Sequence, residues 1–163
     1  MASTRIDKTF SSEGTRKKWT FSAWVKTMRN SGTNHIFSYY NNGTFYTQLV
    51  STRKIKDPNA WYHIVLRYDT AQSSAGDRVR MYINGEQVTD FDTATYPNQN
   101  HDAYINRDTN PHTIGHEITG GYFDGSMTHI HFTDGYSYGA DTFGSTDAVT
   151  GSWNINTSPN VSY

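Results

Sequence analysis

The chain has 163 residues, a formal net charge of −1, no cysteine, and 34% apolar residues, with aromatic residues at 15%. That allows one domain-sized core, excludes disulfide staples and disfavours broad electrostatic binding to nucleic acid or an anionic membrane. Leucine occurs only at Leu49 and Leu66 while twelve Tyr, eight Phe and four Trp are present, a balance that suits strands and their turns rather than helices.

The start, MASTRIDKTF, has no apolar run, so neither a leader nor a membrane span is expected there. The short basic runs RKK (16–18) and RKIK (53–56) read as solvated strand ends. KWTFSAWVK (18–26) sets Trp19, Phe21, Ala23 and Val25 on one face against Thr20, Ser22 and Trp24, which predicts a strand. HIFSYY (35–40), NNG and TFYTQLVS (44–51) read as a hairpin. DPNAWYHIVLRYDT (57–70) runs from a Pro-Asn turn into a long strand, with Tyr62, Ile64, Leu66 and Tyr68 opposite Trp61, His63, Val65 and Arg67.

AQSSAGD reads as a polar loop. In DRVRMYINGEQV (77–88), Val79, Met81 and Ile83 alternate with Arg78, Arg80 and Tyr82, and Asn84-Gly85 supplies the two positive-φ positions of a type I′ hairpin turn. Residues 94–112 are long, polar and dotted with aromatics, as functional loops often are. TIGHEI (113–118) and SMTHIHFTDG (126–135) read as a strand pair. The segment after about residue 151 has little core-forming pattern and is expected as an extended tail. Sequon matches at Asn42, Asn156 and Asn160 are ordinary for a chain rich in Asn, Ser and Thr.

Many short antiparallel strands without helical interludes predict an all-β, two-sheet jelly-roll sandwich, a single domain over 1–163. One face of the aromatic-rich strands would fill the core. The other, with Trp24, Tyr39 and Tyr40, would form a concave or partner-covered surface.

TFSAWVK, DPNAWYHIVLRYDT, DRVRMYINGEQVTDF, TATYPNQN, HTIGH and GGYFDGSMTHIHFTDG occur together and in this order. In that order they resemble the concanavalin A-like, laminin G-like domains of tailed-bacteriophage virion proteins, over roughly residues 8 to 153. The resemblance implies a virion location. It implies a capsid decoration, head-fibre or tail-associated role, with other virion proteins or the chain's own copies as partners. Relatives of that type add a strand before KTFSSEG and another after the G-x-W near the end. Their lack here predicts an exposed sheet edge open to a neighbouring chain.

Glycoside hydrolases of such sandwiches need paired carboxylates. The three glutamates, Glu13, Glu86 and Glu117, stand apart, and Asp90 and Asp92 read as a solvent-facing hairpin exit, so no enzyme activity and no cofactor are expected. His129 and His131, two apart on a strand, would face one side and could offer two imidazoles to a metal, joined by His112 and His116 if their segments pair. Against that, the imidazoles suit an ordinary polar face. His63 reads as a structural histidine. Asp124 and Asp134 are calcium candidates, yet each precedes a glycine in ordinary turn chemistry. For a host-surface glycan, the candidates are Tyr96, Asn100, His101 and Tyr104 in the long loop and Tyr136 and Tyr138 after the last strand. Tyrosines in such places also suit a protein interface.

Overall fold

The computed structural model describes residues 5–28, 36–39, 48–109, 111–116 and 121–163, with the side chains of residues 38, 39 and 48 not described. The turn around Asn42, Tyr40 and Glu117 lie outside those residues, as does the Tyr39 side chain.

The architecture is all-β and antiparallel. The strands are β1 (Ile6–Lys8), β2 (Lys18–Thr27), β3 (Phe37–Tyr39), β4 (Gln48–Ser51), β5 (Tyr62–Asp69), β6 (Val79–Ile83) and β7 (Glu86–Gln87). They continue with β8 (Phe91–Thr95), β9 (His112–Ile114), β10 (Gly125–Asp134), β11 (Gly144–Thr146) and β12 (Trp153–Ile155). A five-stranded sheet has the order β10-β2-β5-β6-β7. The remaining strands form β1-β9-β3, β4-β8 and β11-β12.

The alternation along β2 and β5 decides the layers. Trp19, Phe21, Ala23, Val25 and Tyr68 form the inner core, with Tyr62, Ile64, Leu66, Phe37, Leu49 and Phe132 packed against it. Trp19 stacks on Tyr68 and Phe21 on Phe37, at ring separations of 4.9 and 4.6 Å. Thr20, Ser22, Trp24, His63, Val65 and Arg67 point to the outer face of the same sheet, as the period of two requires.

Two expected strand pairs are replaced by other partners among the described residues. β3 (Phe37–Tyr39) pairs with β9 and β4 (Gln48–Ser51) with β8. Likewise 112–114 pairs with β1 and β3, whereas β10 pairs with β2. Alternation tells which face of a strand is apolar but not which strand lies beside it, and jelly-roll connections carry successive strands to different sheets. The expected AQSSAGD loop also ends in a short helical turn, Ala75–Arg78.

The C-terminal segment does not extend away. Trp153–Ile155 pairs with Gly144–Thr146, and Phe143, Ala140 and Val65 form a second buried cluster edged by Tyr82, Tyr138, Trp153 and Val161. The face expected to await a partner is therefore covered, around His63 and Val65, by the chain's own end.

The hairpin turn is as its residues demand. Asn84 and Gly85 have φ of 50° and 80°, and the Asn84 side chain accepts a hydrogen bond from the His63 backbone N–H at 2.8 Å. Val79 and Ile83 are buried, while Met81 is only partly so. A side chain added at Gly85 would overlap the Trp153 ring. Gly85→Val, strained in backbone and packing alike, is expected to cost about 2 kcal/mol or more, read as a lowered melting temperature; an unchanged one would contradict this register.

Candidate functional site

β5 ends in a carboxylate that should be costly to bury. Asp69 is only 2% exposed, and its oxygens accept hydrogen bonds from Gln72 Nε2 (3.0 Å), the Ala71 N–H (3.3 Å) and Ser137 Oγ (3.2 Å). Lys18 Nζ lies 3.5 Å away. Burial is tolerated because the charge is paired and its lone pairs are used.

On one side of this acid runs the Tyr136–Tyr138 segment. Thr20 Oγ1 donates to the Tyr136 carbonyl at 2.9 Å and accepts from the Tyr138 N–H at 2.8 Å. The two tyrosine rings stack at 5.7 Å and 14°. Tyr138 is fixed: it meets Phe143 edge-on, and its hydroxyl accepts the Ser162 N–H. Tyr136 is 46% exposed and presents its ring to solvent. On the other side, Thr70 Oγ1 donates to the His101 carbonyl, and the Asn100 N–H donates to the Thr70 carbonyl. Asn100 reaches this position in the left-handed region, at φ 59°.

The structure thus sets Tyr136 and Tyr138 beside Asp69, and holds the backbone of Asn100 and His101 against the adjacent Thr70. The other two glycan candidates go elsewhere. Tyr96 packs against the inner core, and Tyr104 lies beneath the Arg107 guanidinium at 5.6 Å. Asp69, Lys18 and Ser137 were missed from sequence. The sequence offers little signal for them, because Asp69 follows Arg67 on the outer, already polar face of β5 and its partners come from distant segments.

The histidines are dispersed. A bulge between Thr128 and His131 inserts one residue opposite β2, and His129 takes φ 47°. The regular i, i+2 geometry expected of the pair is broken there. His129 is exposed and bonded to Thr128 Oγ1, whereas His131 is half-buried between Phe143 and the Tyr163 hydroxyl. His112 is buried in the other sheet, accepting the Asn106 N–H at Nε2, and His116 lies against Tyr122. The Asp124 carbonyl accepts the Met28 N–H, and Asp134 Oδ1 accepts the Thr15 N–H. Among the described residues no three His, Asp or Glu side chains are gathered to hold a metal.

His63 has a defined role. It lies between Trp24 and Trp153, with ring separations of 5.2 and 5.9 Å. Trp153 Nε1–H donates to His63 Nδ1 at 3.0 Å, so the ring's own proton sits on Nε2, 2.9 Å from Ser22 Oγ. Burial, and then the nearby His131, lower its pKa to about 4.

As for carboxylates, Glu13 faces Arg16 and Arg107, and Glu86 faces Arg53. Asp90 and Asp92 are exposed.

The fold is an antiparallel β-sandwich with an exposed aromatic platform beside a buried polar group. A laminin G-type family model, described as the concanavalin A-like lectin/glucanases superfamily, matches residues 28–142. The chain belongs to that superfamily. No curated protein matches the sequence. Among solved structures, domain 4 of AbnA is similar: a GH43 extracellular arabinanase from Geobacillus stearothermophilus, determined in complex with arabinotriose. The identity is 16% and the TM-score 0.50, over 75% of this chain and 63% of that one. The chain therefore spans under two-thirds of that domain, and the likeness is one of fold.

Proposed function

We propose that this chain is a non-enzymatic, lectin-like binding domain that takes glycan on the Tyr136–Tyr138 platform, and that it does so as a component of a tailed-phage virion, at the host surface. The observation that carries the glycan reading is the exposed Tyr136 ring stacked on a fixed Tyr138, beside the Ser137–Asp69–Lys18 polar set. An aromatic face suits the C–H side of a sugar ring, and adjoining polar groups suit its hydroxyls. The superfamily sandwich supports it, and a similar domain is known with arabinotriose bound. The engagement of Glu13 and Glu86 with arginines favours binding over hydrolysis. The virion role rests on the motif order in the sequence, and its partners would be other virion proteins or copies of the same chain.

A glycan array with the isolated protein tests the first part. Saturable binding to a defined set of sugars is expected, lost in Tyr136→Ala while the melting temperature holds, since that side chain is exposed. Mass spectrometry of purified particles tests the second. Silence across the array would end the glycan reading, and absence from particles the virion one.

A further inference from the structure

The outer face of the five-stranded sheet carries an unmatched cation. Thr20, Arg67 and Arg80 stand side by side on β2, β5 and β6. Arg80 pairs with Asp77 at 2.6 Å, and Lys18, further along the same face, with Asp69 at 3.5 Å. Arg67 is half-buried, yet its guanidinium makes no hydrogen bond or ion pair with any described residue. Like charges directly opposite on neighbouring strands repel, and a partly desolvated guanidinium leaves up to five donors to be satisfied. Asp77 already balances the Arg80 charge, and the Arg67 nitrogens reach solvent, so the Arg67 cation is left without a counter-ion among the described residues and open to a bound anion.

The position joins this charge to the platform. Thr20 and Asp69 are the outer-face neighbours of Arg67, across to β2 and along β5, and the Tyr136–Tyr138 segment is fastened to both of them. A ligand lying on the Tyr136 ring would thus have the Arg67 guanidinium within reach of its substituents.

We infer that Arg67, backed by Arg80, forms an anion subsite adjoining the tyrosine platform, and that the glycan taken there is acidic, bearing a carboxylate or sulfate group. This rests on the glycan reading of the platform. The guanidinium fork matches a carboxylate bidentately and keeps its charge at any working pH.

Calorimetry of the intact chain with an oligogalacturonate, a sulfated oligosaccharide and a neutral oligosaccharide of equal length tests it. At least one acidic sugar should bind roughly tenfold or more tightly than the neutral one, as expected for a hydrogen-bonded charge, with the gap narrowing as salt is added. Arg67→Gln should bring the acidic and neutral affinities together without lowering the melting temperature, because it removes a repulsive pair. Arg67→Lys, which keeps the charge but not the fork, should retain part of a preference for carboxylate. The two acidic probes say which anion is read. If acidic and neutral sugars bind alike, or if the preference survives Arg67→Gln, the subsite is overturned while glycan binding stands. If no saccharide binds, both readings fall.

Discussion

Replacing Trp153 by alanine is expected to destabilise the protein by about 3 kcal/mol, the usual cost of deleting a packed aromatic side chain. The segment looks dispensable by composition, but Trp153 joins three parts of the fold. Its ring lies over Gly85 in the hairpin turn and over Gly144 in β11, and at either glycine a side chain would overlap it. Its indole N–H is the partner of His63 Nδ1. Removing the ring opens a void between the hairpin turn and β11 and leaves a fully buried nitrogen without a donor. Urea denaturation should show a lower midpoint with little change in slope. Trp153→Phe is the milder change, since it keeps an aromatic ring there while losing the hydrogen bond and part of the packing, at about 1 kcal/mol or more. If Trp153→Ala shifted the midpoint no more than a surface substitution does, the C-terminal segment would not be part of the folded unit. Deleting residues 152–163 should be at least as damaging, for it uncovers His63 and Val65 together.

The second large effect is a loss of stability in acid. His63 is neutral in the fold, with a pKa of about 4 against an ordinary 6.5, chiefly because it is buried. An unfolded chain binds a proton there below about pH 6.5, whereas the folded chain resists until about pH 4. The contribution is therefore fully present above pH 6.5 and is lost as the pH falls through that window. Its size is about 3 kcal/mol, the free-energy equivalent of moving the pKa from 6.5 to about 4. His131, also lowered by burial and then by His129, adds in the same direction. Protonation at His63 Nδ1 would turn the Trp153 acceptor into a donor, so the C-terminal segment should be the first part to loosen. Stability measured by denaturant titration from pH 7.5 to pH 4 should decline along this course, and His63→Gln should flatten it. A pH-independent stability would show that His63 is already free to charge in the fold.

Much of this protein can be read from local sequence. The alternation of Trp19, Phe21, Ala23 and Val25, and of Tyr62, Ile64, Leu66 and Tyr68, fixes which side of each strand faces the core, because a strand has no other way to bury one set of side chains. Asn84-Gly85 fixes its turn, because few other pairs tolerate two positive φ angles. Of the glycan candidates, Tyr136 and Tyr138 do stand together, two apart on an extended segment.

What tertiary structure alone decided is of a different kind. β3 and β9 resemble hairpin partners of their chain neighbours but pair with each other, since sheet order depends on filling both layers at once and no single segment carries that information. The bulge at His129 depends on β10 taking three steps, Thr128 to His131, against two in β2, Trp24 to Ser22, a mismatch visible only when the two strands lie side by side. The tail reads as patternless because only three of its residues, Trp153–Ile155, lie in a ladder, and the rest touches the outer face at scattered points such as Val161 and Tyr163. Arg67 and Asp69 sit two apart on one strand in the sequence. Their meaning, one cation left over and one anion fully satisfied, comes from side chains that the fold brings from β2, β6 and the 136–138 segment, because charge balance is set by neighbours in space and not along the chain.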